Sequence, residues 1–248
     1  MTERSRKPTG PPFPSLAALE RAIVACRLCP RLVAHREEIA RVKRRAFLAE
    51  TYWGRPVPGF GDPEAALLVL GLAPAAHGGN RTGRVFTGDS SGDWLYAALH
   101  RHGFANQPTS VSRDDGLRLR GAFVTASARC APPDNRPTKD ELARCRPFVA
   151  AELSLLPRVR VVLALGSIAW ETALRLLGEA GVAVPRPRPR FGHGAEADFG
   201  PAAPRLLGSY HPSRQNTQTG RLTRAMFDSP FARAREILGG GTGHSSRS

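Results

Sequence analysis

The sequence predicts an α/β protein: a three-layer αβα arrangement with a central parallel sheet. Three observations carry that prediction. Runs such as 65–70, 122–126 and 159–165 are apolar at nearly every position, the pattern of strands buried on both faces. Segments with helical apolar spacing separate these runs, and strands that alternate with helices pair in parallel beneath two helix layers. A long glycine-rich loop, Gly71 to Asp89, follows the first strand, where open α/β sheets bind ligands.

In chain order, residues 16–25 form a short helix that ends at Cys26-x-x-Cys29, and 32–45 form a second. Strand 65–70 runs into the glycine-rich loop. Helix 92–101 follows, with Ser90 or Ser91 as N-cap. Strand 122–126 precedes a loop at 131–137 and a helix at 138–155. Strand 159–165 ends at Gly166-Ser167, which opens helix 168–177. Residues 185–204 are rich in proline, glycine and arginine and read as an irregular loop or a hairpin. Strand 206–210 and a helix over 221–238 complete the order. No internal repeat is visible. One domain spans 15–238, with flexible termini at 1–14 and 239–248.

No apolar run approaches the ~20 residues that cross a bilayer, and the first 14 residues lack the apolar stretch of a signal peptide. A cytoplasmic protein is expected. The net charge is +15, from 36 Lys+Arg against 21 Asp+Glu, and only three of the basic residues are lysine. Such an excess favours a polyanion, bound through phosphates with counterion release. Arginine-rich genome composition is the plainer explanation.

The four cysteines are Cys26, Cys29, Cys130 and Cys145. In an intracellular chain they point to metal binding before disulfides. Zinc and an iron–sulfur cluster both accept four thiolates. The 14 residues between Cys130 and Cys145 differ from a zinc ribbon's second C-x-x-C. Arg27, Arg129, Arg144 and Arg146 flank the cysteines and would offset thiolate charge. Four protein thiolates leave no position open for substrate, so the centre reads as structural.

His211 stands at the end of the last strand, in Gly208-Ser-Tyr-His-Pro-Ser-Arg-Gln-Asn216, on the same sheet edge as the first loop. The polar run 213–219 has no apolar periodicity. It reads as a loop for phosphates and groove edges.

Together, Cys26-x-x-Cys29, Gly71-Leu-Ala-Pro-Ala, Gly78-Gly-Asn-Arg-Thr-Gly-Arg, Phe86-Thr-Gly-Asp89, Arg129-Cys-Ala-Pro-Pro-Asp-Asn-Arg-Pro-Thr138 and His211-Pro-Ser-x-Gln-Asn216 resemble family 5 (type B) uracil-DNA glycosylases. The match runs from about residue 19 to 238, in the family's order. The resemblance implies a four-stranded parallel sheet, a structural [4Fe–4S] cluster on the four cysteines, and excision of uracil from DNA. Hypoxanthine and other deaminated or modified bases are implied as further substrates. It also implies a base flipped from the stack. Phe86 would stack on that base, with Gly71, Ala73, Ala75 and Asn80 lining the pocket. His211 would hydrogen-bond uracil O2 as it becomes anionic. Ser213, Arg214, Gln215 and Asn216 would enter the groove or hold phosphates, and Arg81, Arg84 and Arg136 would contact phosphates.

The chain departs from other branches of the superfamily at two places. Leu72 and Ala73 stand where those branches carry a water-activating polar group. Asp89 is the candidate in its place, against the plainer role of capping the next helix. Ala126, Ser127 and Ala128 stand where some branches carry a base-reading asparagine, which leaves Asn135 to orient water or touch the base. A non-catalytic or covalently trapping DNA-binding relative is the first alternative. The second is a metal-containing nucleotide-binding enzyme of another class. The first loop lacks the P-loop and G-x-G-x-x-G patterns that such an enzyme would use. A monomer suffices for the chemistry.

Overall fold

The computed structural model describes residues 13–239. The expected flexible termini lie almost wholly outside them. Helix α1 (Leu16–Val24) starts at Ser15, whose hydroxyl accepts the Ala18 amide. Helix α2 (Pro30–Val42) starts at Cys29 with proline at its first position. Strand β1 (Phe60–Gly61) precedes β2 (Leu67–Gly71). Then come the single turn α3 (Gly79–Thr82), α4 (Ser90–Arg101) and β3 (Ala122–Ala126). Helix α5 (Lys139–Ser154) is fixed by a capping box between Thr138 and Glu141. The order ends β4 (Val161–Leu165), α6 (Ser167–Glu179), β5 (Glu196–Ala197), β6 (Arg205–Ser209), α7 (Arg214–Gln218) and α8 (Arg224–Gly239).

The strand order is β1-β3-β2-β4-β6-β5. The inner four strands are parallel, in registers that pair Leu67 with Ala122 and Val161, and Val161 with Arg205. The expected four-stranded parallel sheet is therefore the core of a six-stranded one. The two added strands are antiparallel, two residues each, and sit at the edges. Such short edges leave little open ladder for another chain to join. Strand β5 makes the 185–204 segment a hairpin against β6.

Side chains alternate along each strand, and both sets are buried. Leu67, Val69, Val161, Leu163 and Leu207 face one core, shared with Leu95, Leu99, Phe227 and Phe231 of α4 and α8. Leu68, Leu70, Val162, Ala164 and Leu206 face the other, shared with Val149 of α5 and Trp170 and Leu174 of α6. That is why the strands read as unbroken apolar runs. The inner strands all end at one edge, where the loops after β2, β3, β4 and β6 gather. No described helix is long and apolar enough to cross a membrane.

Candidate active site

The glycine-rich loop leaves β2 at Gly71. A β-carbon there would lie 2.6 Å from the Phe86 ring, so the missing side chain lets that ring cover the strand end. Phe86 is buried and holds a left-handed backbone, φ 52°. Its ring stacks on His211, with centroids 5.8 Å apart and planes 29° apart. Two residues predicted to meet the same base, 125 positions apart in sequence (211 − 86), are thus in contact.

His211 is half-buried at the end of β6. Burial pushes its pKa down to about 4, so the imidazole is neutral at physiological pH. Its carbonyl accepts the Asn216 side-chain amide at 2.8 Å. Gly166, at the end of β4, lies beneath it, where an added β-carbon would sit 3.6 Å from the His211 β-carbon.

Asp89 caps α4. Its Oδ1 accepts the Ser91 and Gly92 amides, both at 3.0 Å. Its Oδ2 lies against Gly78, where an added β-carbon would come within 2.0 Å. Among the described residues, Oδ2 receives no hydrogen bond. Burial holds the Asp89 pKa above the usual carboxylate range, against the lowering effect of the two amides. The capping role and the functional candidacy therefore fall on different oxygens of one carboxylate.

Several expectations are revised. Asn80 is fully buried, and its amide nitrogen donates to the Arg36 carbonyl of α2 at 3.1 Å, so it braces the loop from behind. Arg81 is buried. It donates to the His77 and Gly88 carbonyls and to Glu50, and it lies over the Phe47 ring. Arg84 is buried among Thr87, Ser110, Asp115 and the Arg113 carbonyl. Both guanidinium groups are buried and bonded within the protein, which turns them away from an external phosphate. The polar run after His211 is the helical turn α7, capped by Ser213, with Arg214 and Gln215 exposed and Asn216 turned to the His211 carbonyl. Asn135 is exposed on the turn after β3, with φ 55°, and Arg136 is exposed beside it. Ala73 and Ala75 are half-buried along the loop.

Two arginines escaped the sequence reading. Arg221 lies over the Tyr210 ring at 4.8 Å, and Arg224 over the Trp94 ring at 4.6 Å. Both are exposed, and among the described residues neither makes an ion pair within 4.0 Å. Tyr210 adjoins His211 and also packs on His193, whose Nδ1 accepts the Tyr210 amide at 3.3 Å. The only sequence signal was an arginine following a polar run. An open cavity of about 840 Å³ between α1, α2 and residues 52–55 lies apart from this site, lined by none of Phe86, Asp89 and His211.

The four cysteines converge from α1's end, the start of α2, the loop after β3 and α5. Cys29, Cys130 and Cys145 are buried and Cys26 is half-buried. Burial pushes the thiols of Cys29, Cys130 and Cys145 upward, Cys130 to about 12, and the Cys26 sulfur bears electrostatically on all three. Arg36 donates to the Cys130 Sγ at 3.0 Å, and the Arg129 amide to the Cys145 Sγ at 3.5 Å. Of the four arginines expected to offset thiolate charge, Arg144 bears on Cys29 and Arg129 on Cys145. Arg27, Arg129 and Arg146 pair with Glu37, Glu152 and Glu179. Arg36, which the sequence did not single out, is buried against the sulfurs. Among the described residues no three metal-ligating side chains close on a point that would hold a single ion. A zinc ion needs four sulfurs about 2.3 Å from one centre, whereas a polynuclear cluster spreads its thiolates more widely.

A model of the uracil DNA glycosylase superfamily matches residues 58–235. The chain is 55% identical to a type-5 uracil-DNA glycosylase of Mycobacterium tuberculosis over 226 residues, 91% of this chain and 82% of that one. It is 54% identical to the type-5 uracil-DNA glycosylase of Thermus thermophilus, over 90% of this chain and 98% of the other. Against that of Pyrobaculum aerophilum the identity is 47%, over 81% and 84%. A type-4 uracil-DNA glycosylase from the same organism is 32% identical over 51% of this chain and 57% of its own. With Phe86 and His211 joined at the sheet edge inside the matched span, the chain belongs to the uracil DNA glycosylase superfamily, within its type-5 branch.

Proposed function

We propose that this chain excises uracil from DNA by hydrolysing the N-glycosidic bond, leaving free base and an abasic site. The Phe86–His211 stack carries the reading, because it joins an aromatic platform to a neutral imidazole at one strand-end crevice. The target nucleotide leaves the helix and stacks on Phe86. Bond breaking puts negative charge on the uracil and positive charge on the sugar. A neutral imidazole donates its N–H to uracil O2 as that charge grows, and the buried setting strengthens the bond. Asp89 Oδ2, the free oxygen of the capping carboxylate, positions water or faces the oxocarbenium-like sugar. Asn135 orients water or touches the base from the loop after β3.

With Ala126, Ser127 and Ala128 in place of a base-reading asparagine, the pocket holds fewer groups that would reject other bases. Hypoxanthine and other deaminated bases are accordingly further substrates. Ser213, Arg214, Gln215 and Asn216 form the element that enters the vacated stack or its groove. Arg136, Arg221 and Arg224 supply phosphate contacts. Cys26, Cys29, Cys130 and Cys145 hold a [4Fe–4S] cluster, supported by four converging thiols and a buried arginine at one of them. Such a cluster, with four protein ligands, ties α1, α2, β3 and α5 together and supplies no chemistry to the bond. The protein acts in the cytoplasm as a monomer on DNA.

The test is a labelled duplex with one uracil, incubated with the protein and treated with alkali. A break only at uracil is expected. An unbroken strand with an SDS-resistant shifted band would replace turnover by covalent trapping.

A further inference from the structure

We propose that Arg36 and Asn80 are positioning residues that couple the cysteine centre to the base-pocket loop. The inference rests on the cluster reading above. Arg36 is 2% exposed in the middle of α2. Its Nη1 donates to the Cys130 Sγ at 3.0 Å, and both Nη atoms reach the Cys26 carbonyl at 3.3 Å. Its Nε is buried without a partner. Among the described residues its one ion pair is with Glu37, exposed and 3.8 Å away. A buried guanidinium needs a close anion, and the thiolates of the centre are the anions within reach.

The same residue's backbone faces the loop. The Arg36 carbonyl accepts the side-chain amide of Asn80, which is fully buried. The Asn80 backbone is held on both sides: its N–H donates to Ala75, and its carbonyl accepts the Gly54 amide. Two residues earlier, Gly78 packs against the Asp89 carboxylate. A path of direct contacts thus runs from Cys130 through Arg36 and Asn80 to the segment that seats Asp89. The Oδ1 of Asn80 has no partner, so the residue is kept for its single donor bond. When the thiolates lose their shared centre, Arg36 loses its counter-charge and the loop loses its rear support.

The test is a double-mutant cycle of Arg36→Met and Asn80→Leu, both near-isosteric and apolar, in the full chain. Iron per protein, visible absorbance and single-turnover excision at saturating and limiting enzyme are measured for each. Asn80→Leu is expected to keep full iron and its binding constant for DNA while the excision step slows about 10- to 100-fold, the effect of a small misplacement at the reacting atoms. Arg36→Met is expected to lower both iron content and the excision step. The double variant is expected to excise no more slowly than Arg36→Met alone, because both act through one path. Losses that multiply, or an Asn80→Leu variant with the wild-type excision step, would overturn the coupling. Wild-type protein without iron would instead overturn the cluster reading, and the cycle, read on the excision step, would still decide whether the Arg36 side chain acts by placing the carbonyl that Asn80 holds.

Discussion

His211 and Asp89 are both half-buried, and loss of solvent moves their titrations in opposite directions. His211 stays neutral in the folded protein down to about pH 4, while in the unfolded chain it takes a proton below 6.5. Its contribution to stability is therefore present above pH 6.5 and lost as the pH falls towards 4. Burial holds Asp89 above the ordinary carboxylate range, and its protonation removes the charge proposed to face the sugar, whereas a protonated imidazole still has an N–H to donate. The acid limb of the excision rate is thus expected to belong to Asp89. His211→Gln should slow excision about 10²- to 10³-fold, the cost of losing one preorganised donor, and keep the wild-type acid limb in the pH profile of single-turnover rates. A limb that moves with His211 would reverse the assignment. Gly78→Ala tests the Asp89 seat, since the added methyl meets Oδ2. Excision should fall steeply while the unfolding free energy measured in urea falls by about 1 kcal/mol. Equal rates would show that the carboxylate serves only as the cap of α4.

At the scale of elements, the inner strands and the major helices were legible because each strand is apolar on both faces and each helix is periodic. The edge strands β1 and β5 were not legible, since two residues carry no period. The turn α7 was hidden in a polar run, and only Ser213 as its cap marks it. Arg81 and Arg84 looked like phosphate contacts because they stand in a glycine-rich loop. Their acceptors, Glu50 and Asp115, lie 31 residues away on either side, beyond any local pattern. Arg36 was missed for the same reason, as its sulfur partner is 94 positions away. The arginines of the α7–α8 turn offer the converse case: exposed, held by aromatic rings and, among the described residues, in no ion pair within 4.0 Å. Replacing Arg221 or Arg224 with Gln is expected to flatten the slope of log affinity against log salt by about 0.9 each, one phosphate contact apiece. Titration of a fluorescent duplex at several salt concentrations reads this, and an unchanged slope would place these arginines off the DNA.

The whole molecule is tied through one fully buried ion pair. Arg129 and Glu152 meet at 2.6 Å, with side chains 1% and 2% exposed. Glu152 also accepts from Thr125 of β3 and from the Gly59 amide, while the Arg129 carbonyl accepts the Val57 amide. The pair therefore joins β3, α5 and the segment leading into β1, one residue from Cys130. Glu152→Ala is expected to cost about 3–5 kcal/mol, because it strands a buried guanidinium. The double variant Arg129→Met/Glu152→Met should recover much of that loss in equilibrium denaturation. A single variant no less stable than the wild type would show that solvent reaches the pair.

The stacking of Phe86 on His211 has a consequence for the order in which the protein comes into being. Phe86 leaves the ribosome long before His211 does, and the β6 strand that carries His211 is the last of the sheet to be made. An unfinished chain thus presents a platform for a base with nothing to withdraw charge from it. Competence arrives late in synthesis, when β6 docks beside β4, so a stalled or truncated product is expected to hold damaged DNA poorly and to cut no glycosidic bond.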